Sequence, residues 1–300
     1  MDLALTPPIA GTGRVRAFVA LTKPRIIELL LVTTIPTMVV AERGLPSIWL
    51  MLATVIGGSL AAGGANAINM YADRDIDRLM ERTKNRPLVT GEVQPTEALV
   101  FAVAIEVVAF FFLWATVNLL SAGLAVAACL FYVFVYTLWL KRSSTSNIVI
   151  GGAAGAVPVL IGWSSVTNSL SWAAIVLFAI IFFWTPPHFW ALAIKYRDDY
   201  AAADIPMLPS VVSTRETAQR MLVYTVVLVT FSIVLWPVAE LGAIYLSSAV
   251  ALGAGFLALA YRVLREQDTR SAMQLFGYSI TYITVLFGAM AVDELVRSGL

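Results

Sequence analysis

Charge is scarce in this 300-residue chain: Asp, Glu, Lys and Arg together make up 13%. So little charge beside 59% hydrophobic residues and a mean hydropathy of +0.83 excludes a soluble domain. There is one cysteine, Cys129, so no intrachain disulfide exists, and its mid-span position reads as a small core residue. A net charge of +1 singles out no partner, and nothing in the chain points to nucleic acid. Residues 1–25 are polar and punctuated by Pro and Gly, with no apolar stretch of a cleavable signal peptide.

What is present is a series of apolar runs of about 20 residues, each long enough to cross the hydrocarbon core as a helix. They fall at 26–40, 47–70, 97–117, 119–140, 147–163, 172–194, 217–238, 242–261 and 273–292. The expected fold is all-α: a polytopic membrane protein of about nine transmembrane helices in a bundle, with a cytoplasm-facing active-site cavity. A loose tail over 1–25 precedes a single membrane domain over 26–293, whose two acidic cytoplasmic loops cover 71–96 and 195–216. Pro186-Pro187 should kink or break the sixth span, freeing backbone groups that protein or cavity water must satisfy. With nine spans, 18 of the 20 Lys and Arg residues fall on one side, and only Arg43 and Arg297 on the other. The positive-inside rule puts the N-terminus and both large loops in the cytoplasm and the C-terminus opposite. The location expected is a bacterial inner membrane.

Against this background, residues 66–87 concentrate four carboxylates (Asp73, Asp75, Asp77, Glu81) and five cations (Arg74, Arg78, Arg82, Lys84, Arg86). Asn69, Asp73 and Asp77 recur every fourth residue, which on a helix drifts about 40° per step and makes one stripe. Three oxygen-bearing side chains at the polar end of an apolar helix suit a hard cation such as Mg²⁺, held with substrate phosphates. Arginines alongside suit a diphosphate. The plain alternative is a solvated loop of weak local ion pairs.

A second polar region carries Asp198 and Asp199, either metal ligands facing the first cluster or a helix-end pair neutralised by Lys195 and Arg197. His188, the lone histidine, follows the Pro-Pro pair. It reads as a haem-iron ligand, a proton carrier or a hydrogen-bonding residue of the bundle. Glu106, mid-span, is either functional or a protonated acid bonded to a neighbouring helix.

Asn69/Asp73/Asp77 followed by RTKNRPL at 82–88 resembles the UbiA-type intramembrane prenyltransferases. Further matches are LTKPRI at 21–26, LKRSSTSNIVIGG at 140–152, TPPHFWALA at 185–193 and DDYAAADIPMLP at 198–209. Together they resemble the branch that farnesylates protohaem IX, over about residues 15–295. The resemblance implies transfer of the farnesyl group of farnesyl diphosphate to a vinyl group of haem B, with water addition, giving haem O. It implies Mg²⁺ on Asn69, Asp73, Asp77, Asp198 and Asp199. Arg82, Arg86, Lys141, Arg142, Lys195 and Arg197 become diphosphate contacts, and His188 a haem contact. The lipid bilayer and a downstream haem-modifying enzyme are the implied partners. The chain departs from the superfamily pattern twice: position 202 is Ala where a spaced second acid is common, and Tyr136 lies five residues before Lys141 rather than four. A quinone-precursor or other aromatic acceptor, and ion transport through acidic sites, are the competing readings.

Overall fold

The computed structural model describes residues 12–299, except for the side chains of residues 12 and 25–31. Residues 1–11 of the expected tail and the Arg25 side chain therefore lie outside the described residues. Where the tail is described, it is ordered: α1 (Thr12–Leu21) buries Ala17 and Leu21, and Arg14 pairs with Glu97. The sequence reading as a loose tail missed this, because a ten-residue helix with arginines and a short apolar face carries little periodic signal.

Nine long helices follow among the described residues, and no strand. They are α2 (Pro24–Glu42), α3 (Ile48–Ala72), α4 (Pro95–Thr116), α5 (Leu119–Ser143), α6 (Asn147–Thr167), α7 (Trp172–Lys195), α8 (Thr214–Val238), α9 (Ala243–Glu266) and α10 (Thr269–Arg297). Eight of them, α3–α10, are long and apolar enough to cross a membrane; α2 has 19 residues and is described in full only from Val32. Their starts are chemically marked. Ser47, Asn118, Ser171, Ser213 and Asp268 each accept a bond from the backbone N–H three residues on, and Gln94 with Glu97 forms a capping box.

Each helix from α3 to α10 packs on the next, α10 returns to α7 and α2, and α2 also touches α3 and α6. The largest core lies among α7–α10 around Trp184, Trp190, Tyr245, Phe256, Tyr282 and Phe287. Between α3 and α4 the approach is close enough that a Cβ on Gly57 would run into the Leu113 side chain. At the end away from the basic loops, buried Asp293 of α10 accepts from the N–H groups of Gly242, Ile244 (3.0 Å) and Tyr245 (3.2 Å), capping α9 across the helix boundary.

α7 does not break at Pro186-Pro187. Both prolines are buried within a helix that runs unbroken from Trp172 to Lys195. Proline removes N–H donors, but here α10 holds the segment, the Trp184 indole N–H donating to the Ser279 carbonyl at 2.8 Å, while within α7 the Thr185 hydroxyl donates to Ile181 O at 2.9 Å.

Candidate active site

The end of α3 and the turn after it build the acidic side of the site. The expected single helix is instead two: α3 stops at Ala72, Asp73 takes φ −90° and ψ 2°, and a short helix spans Arg74–Asp77. The i→i−4 bonding crosses the junction, with Asp73 N to Asn69 O at 2.9 Å and Asp77 N to Asp73 O at 2.8 Å. The stripe therefore survives the change of helix. Asn69, Asp73 and Asp77 are all buried, and Asn69 and Asp77 line a partly open cavity of about 380 Å³.

Three cations converge on this stripe from different parts of the chain. Lys23 Nζ donates to Asn69 Oδ1 at 2.8 Å, Arg86 Nη1 to Asp77 Oδ2 at 2.6 Å, and Lys141 Nζ to Asp73 Oδ2. Asn69 Nδ2 links Asp73 to Thr137, donating to Asp73 Oδ2 at 2.8 Å and to Thr137 Oγ1 at 3.1 Å. Burial, with Arg86 and Lys141 alongside, pushes the Lys23 ammonium down to about 7. Arg142 turns away from the cavity. It grips Asp75 with both Nη atoms at 2.8 Å and Ala72 O at 3.0 Å, and its hydrogen bond brings the exposed Asp75 carboxyl down to about 2.

The middle of α5, Phe131–Leu140, is wound as a π-helix. Tyr132 and Tyr136 stack there, centroids 5.3 Å apart, and both line the cavity with Lys141. Tyr136 lies flat on α6 only because position 151 is Gly; a Cβ there would enter its ring. From this polar end the cavity descends between apolar walls to Thr54, fifteen residues back along α3. That separation is about 22 Å at the rise of an α-helix.

Of the candidates from the sequence, the structure brings together Asn69, Asp73, Asp77, Arg82, Arg86 and Lys141; Arg82 lines the cavity at its exposed edge. It does not bring in Asp198, Asp199, Lys195 or Arg197, none of which lines the cavity. The six-residue helix Arg197–Ala202 turns Tyr200 inward, and Asp198, two residues earlier, points roughly opposite, into solvent. Tyr200 is the residue of this segment on the cavity wall. His188 is also off the lining. It is sandwiched between Trp184 and Phe276 (centroids 4.2 and 4.6 Å), with Nδ1 2.6 Å from Ser279 Oγ. Glu106 sits behind the wall, against Gly64 and within bonding reach of the Cys129 thiol. Sequence reasoning missed Lys23 and Tyr132 as site residues and gave Tyr136 little weight; the LTKPRI match was the available signal for Lys23.

Among the described residues no three His, Cys, Asp or Glu side chains cluster as a self-sufficient metal site. The donor set is instead one amide and two carboxylates, all oxygen, and Asp73 Oδ1 is buried with no hydrogen-bond partner, 3.9 Å from Arg142. Such a set fits Mg²⁺, which completes its shell with water and substrate phosphate.

A UbiA prenyltransferase family model matches residues 30–287. A protoheme IX farnesyltransferase of Frankia alni is 56% identical over 287 residues, covering 95% of this chain and 99% of the relative. One of Streptomyces coelicolor is 52% identical over 291 residues, covering 95% and 92%. Among solved structures, a digeranylgeranylglyceryl phosphate synthase superposes with a TM-score of 0.78 at 16% identity, covering 94% of this chain and 99% of that one. A UbiA homologue from Archaeoglobus fulgidus bound to DMAPP and Mg²⁺ gives 0.64 at 15% identity, covering 90% and 99%. The bundle, the buried acid stripe and these matches agree, and the chain belongs to the UbiA prenyltransferase family.

Proposed function

We propose that this chain transfers the farnesyl group of farnesyl diphosphate to a vinyl group of haem B, with addition of water, giving haem O and diphosphate. The observation that carries the reading is the convergence of Asn69, Asp73 and Asp77 with Lys23, Arg86 and Lys141 at the polar end of an apolar cavity. Identity above 50% to relatives named as protoheme IX farnesyltransferases supports haem as the acceptor. The cavity's depth of about 22 Å along α3 suits a diphosphate followed by three isoprene units.

Asn69, Asp73 and Asp77 would hold Mg²⁺, which supplies charge neutralisation for the diphosphate when bound. Lys23, Arg86 and Lys141 donate to the phosphate oxygens as negative charge builds on the leaving group and the allylic C1–O bond breaks. The cavity walls keep bulk water from the allylic cation, and the stacked Tyr132 and Tyr136 flank the place where it forms. The vinyl π pair of the haem then forms the new bond to C1, leaving a cation on the carbon next to the macrocycle. One water adds there and gives up a proton, so haem B, farnesyl diphosphate and water become haem O, diphosphate and a proton. On this reading the cavity mouth and the N-terminus face the cytoplasm of a bacterial inner membrane, a topology that the basic residues at the helix ends support. A haem-modifying enzyme would receive the lipophilic product.

The test is reconstitution: purified protein in lipid with haem B, farnesyl diphosphate and Mg²⁺, against an EDTA control, with haems resolved by chromatography and mass. Metal-dependent appearance of haem O mass is expected. Its absence with folded protein would sink the haem reading and direct the search to aromatic acceptors.

A further inference from the structure

We propose that Lys23, Arg86 and Lys141 are internal counter-ions that occupy the acid stripe until diphosphate draws them away, so that metal and diphosphate bind only as a pair. In this scheme Lys23 is a diphosphate-binding residue. The inference rests on the reading above for the identity of the ligand, but not on the haem acceptor.

Each oxygen-bearing side chain of the stripe already has a cation on it. Lys23 holds Asn69 Oδ1 (2.8 Å), Arg86 holds Asp77 Oδ2 (2.6 Å) and Lys141 holds Asp73 Oδ2. The pairs are poorly solvated: the Arg86 and Lys141 side chains are 20% and 14% exposed, and those of Asp77 and Asp73 are 3% and 0%. Burial makes the charge count decisive, because a net charge out of water is costly. With Lys23 in its ammonium form, two carboxylates against three cations leave one positive charge. A divalent cation entering alone would raise this to three and would have to displace a lysine or arginine from each acid. An ionised prenyl diphosphate, with roughly three negative charges, entering alone would leave two negative and strip the acids of their partners. Entering together, the two bring the site to neutrality: cations move from carboxylate to phosphate, and metal takes the vacated oxygens. Asp73 Oδ1, buried and without a hydrogen-bond partner, is the foothold left for the metal.

Lys23 is built for this place. It is a non-glycine residue in the left-handed region (φ 52°, ψ 64°), between α1 and Pro24, the first residue of α2. That conformation is disfavoured for a side chain-bearing residue and persists only where the surroundings impose it. Asn66 Nδ2 donates to Thr22 O at 3.3 Å, pinning the turn to α3 beside the stripe. The strained turn is what carries the ammonium from the end of α1 onto Asn69.

The test uses the full-length protein in detergent without haem, with Mn²⁺ read by electron paramagnetic resonance and farnesyl thiodiphosphate as the unreactive partner. In wild type, saturating farnesyl thiodiphosphate should tighten Mn²⁺ binding about a hundredfold, and Mn²⁺ should tighten the thiodiphosphate by the same factor. Lys141→Met and Lys23→Met should each bind Mn²⁺ alone about tenfold more tightly than wild type while binding thiodiphosphate more weakly, so the coupling shrinks. Equal Mn²⁺ affinity with and without thiodiphosphate in wild type would overturn the proposal. A Lys23→Met protein with unchanged thiodiphosphate affinity, its fold checked by thermal unfolding, would remove Lys23 from it. Coupling without haem O formation would refute the haem reading alone; haem O formation without coupling would refute the counter-ion scheme alone.

Discussion

Tyr136 and Lys141 are five residues apart and line the same cavity. On an α-helix they would stand about 140° apart. The π-winding of Phe131–Leu140 adds residues to the turn and brings the two to within about 50°. Thr137 marks the same winding, its hydroxyl donating to Tyr132 O, five residues back, at 2.8 Å. The tyrosine-to-lysine spacing that departs from the superfamily pattern in sequence is thus compensated in the backbone.

Gly151 keeps that arrangement in place, since any side chain there meets the Tyr136 ring. Gly151→Ala should displace Tyr136 into the cavity. We expect overpacking to cost about 1–3 kcal/mol in stability and turnover to fall at least about tenfold. Thermal unfolding and haem O formation, measured on the same preparation, check both; a variant with unchanged turnover would show that the position of Tyr136 is immaterial.

Asp73 is fully buried and carries the Lys141 contact, the Asn69 bond and the free Oδ1. Asp73→Asn keeps the shape, removes the charge and leaves Lys141 without its counter-ion. Turnover should drop by at least about a hundredfold while the protein still inserts, as read by membrane fractionation and the reconstituted assay. Retained turnover would remove Asp73 from the metal site. Because a buried cation is left uncompensated, stability should fall by about 3–5 kcal/mol, less if water enters the cavity.

The residues that were legible in the sequence were those placed by periodicity. Asn69, Asp73 and Asp77 share one face at helical spacing, and the geometry tolerates the helix ending at Ala72 because the backbone bonding continues through Asp73. Helix positions were legible from apolar runs. What the sequence could not show were backbone states and long-range partners. The left-handed turn at Lys23, the π-winding before Lys141 and the seating of Arg86 on Asp77 each depend on contacts between distant segments. Pro186-Pro187 suggested a break because local chemistry favours one; the packing of Trp184 and Thr185 overrides it.

His188 belongs to the same class of tertiary outcome. Stacked between Trp184 and Phe276 and bonded to Ser279, it fills a gap between α7 and α10. His188→Ala should cost about 2–4 kcal/mol through the cavity left and the lost bond, with haem affinity unchanged in a Soret titration. A large loss of haem affinity in a folded variant would return the residue to the haem site.

Asp75 gives a prediction about pH. Arg142 holds its folded-state carboxyl at about 2, below the ordinary value of 3.8. A depressed acid stabilises the fold above its unfolded value, and that contribution disappears as pH falls from about 4 toward 2. With the Asp75 side chain 63% exposed, solvent screening keeps the effect small. Its signature is differential: between pH 5 and pH 3 wild type should lose more thermal stability than Asp75→Asn, which has no proton to take up there. Equal losses in the two proteins would mean that Arg142 does not favour the charged form of Asp75 in the folded state. Since Arg142 also donates to Ala72 O at the end of α3, the weakened pair should loosen the turn carrying Asp73. Turnover of Asp75→Asn at neutral pH should then fall only about two- to fivefold, far less than that of Asp73→Asn, because Asp75 faces solvent and only steadies the turn.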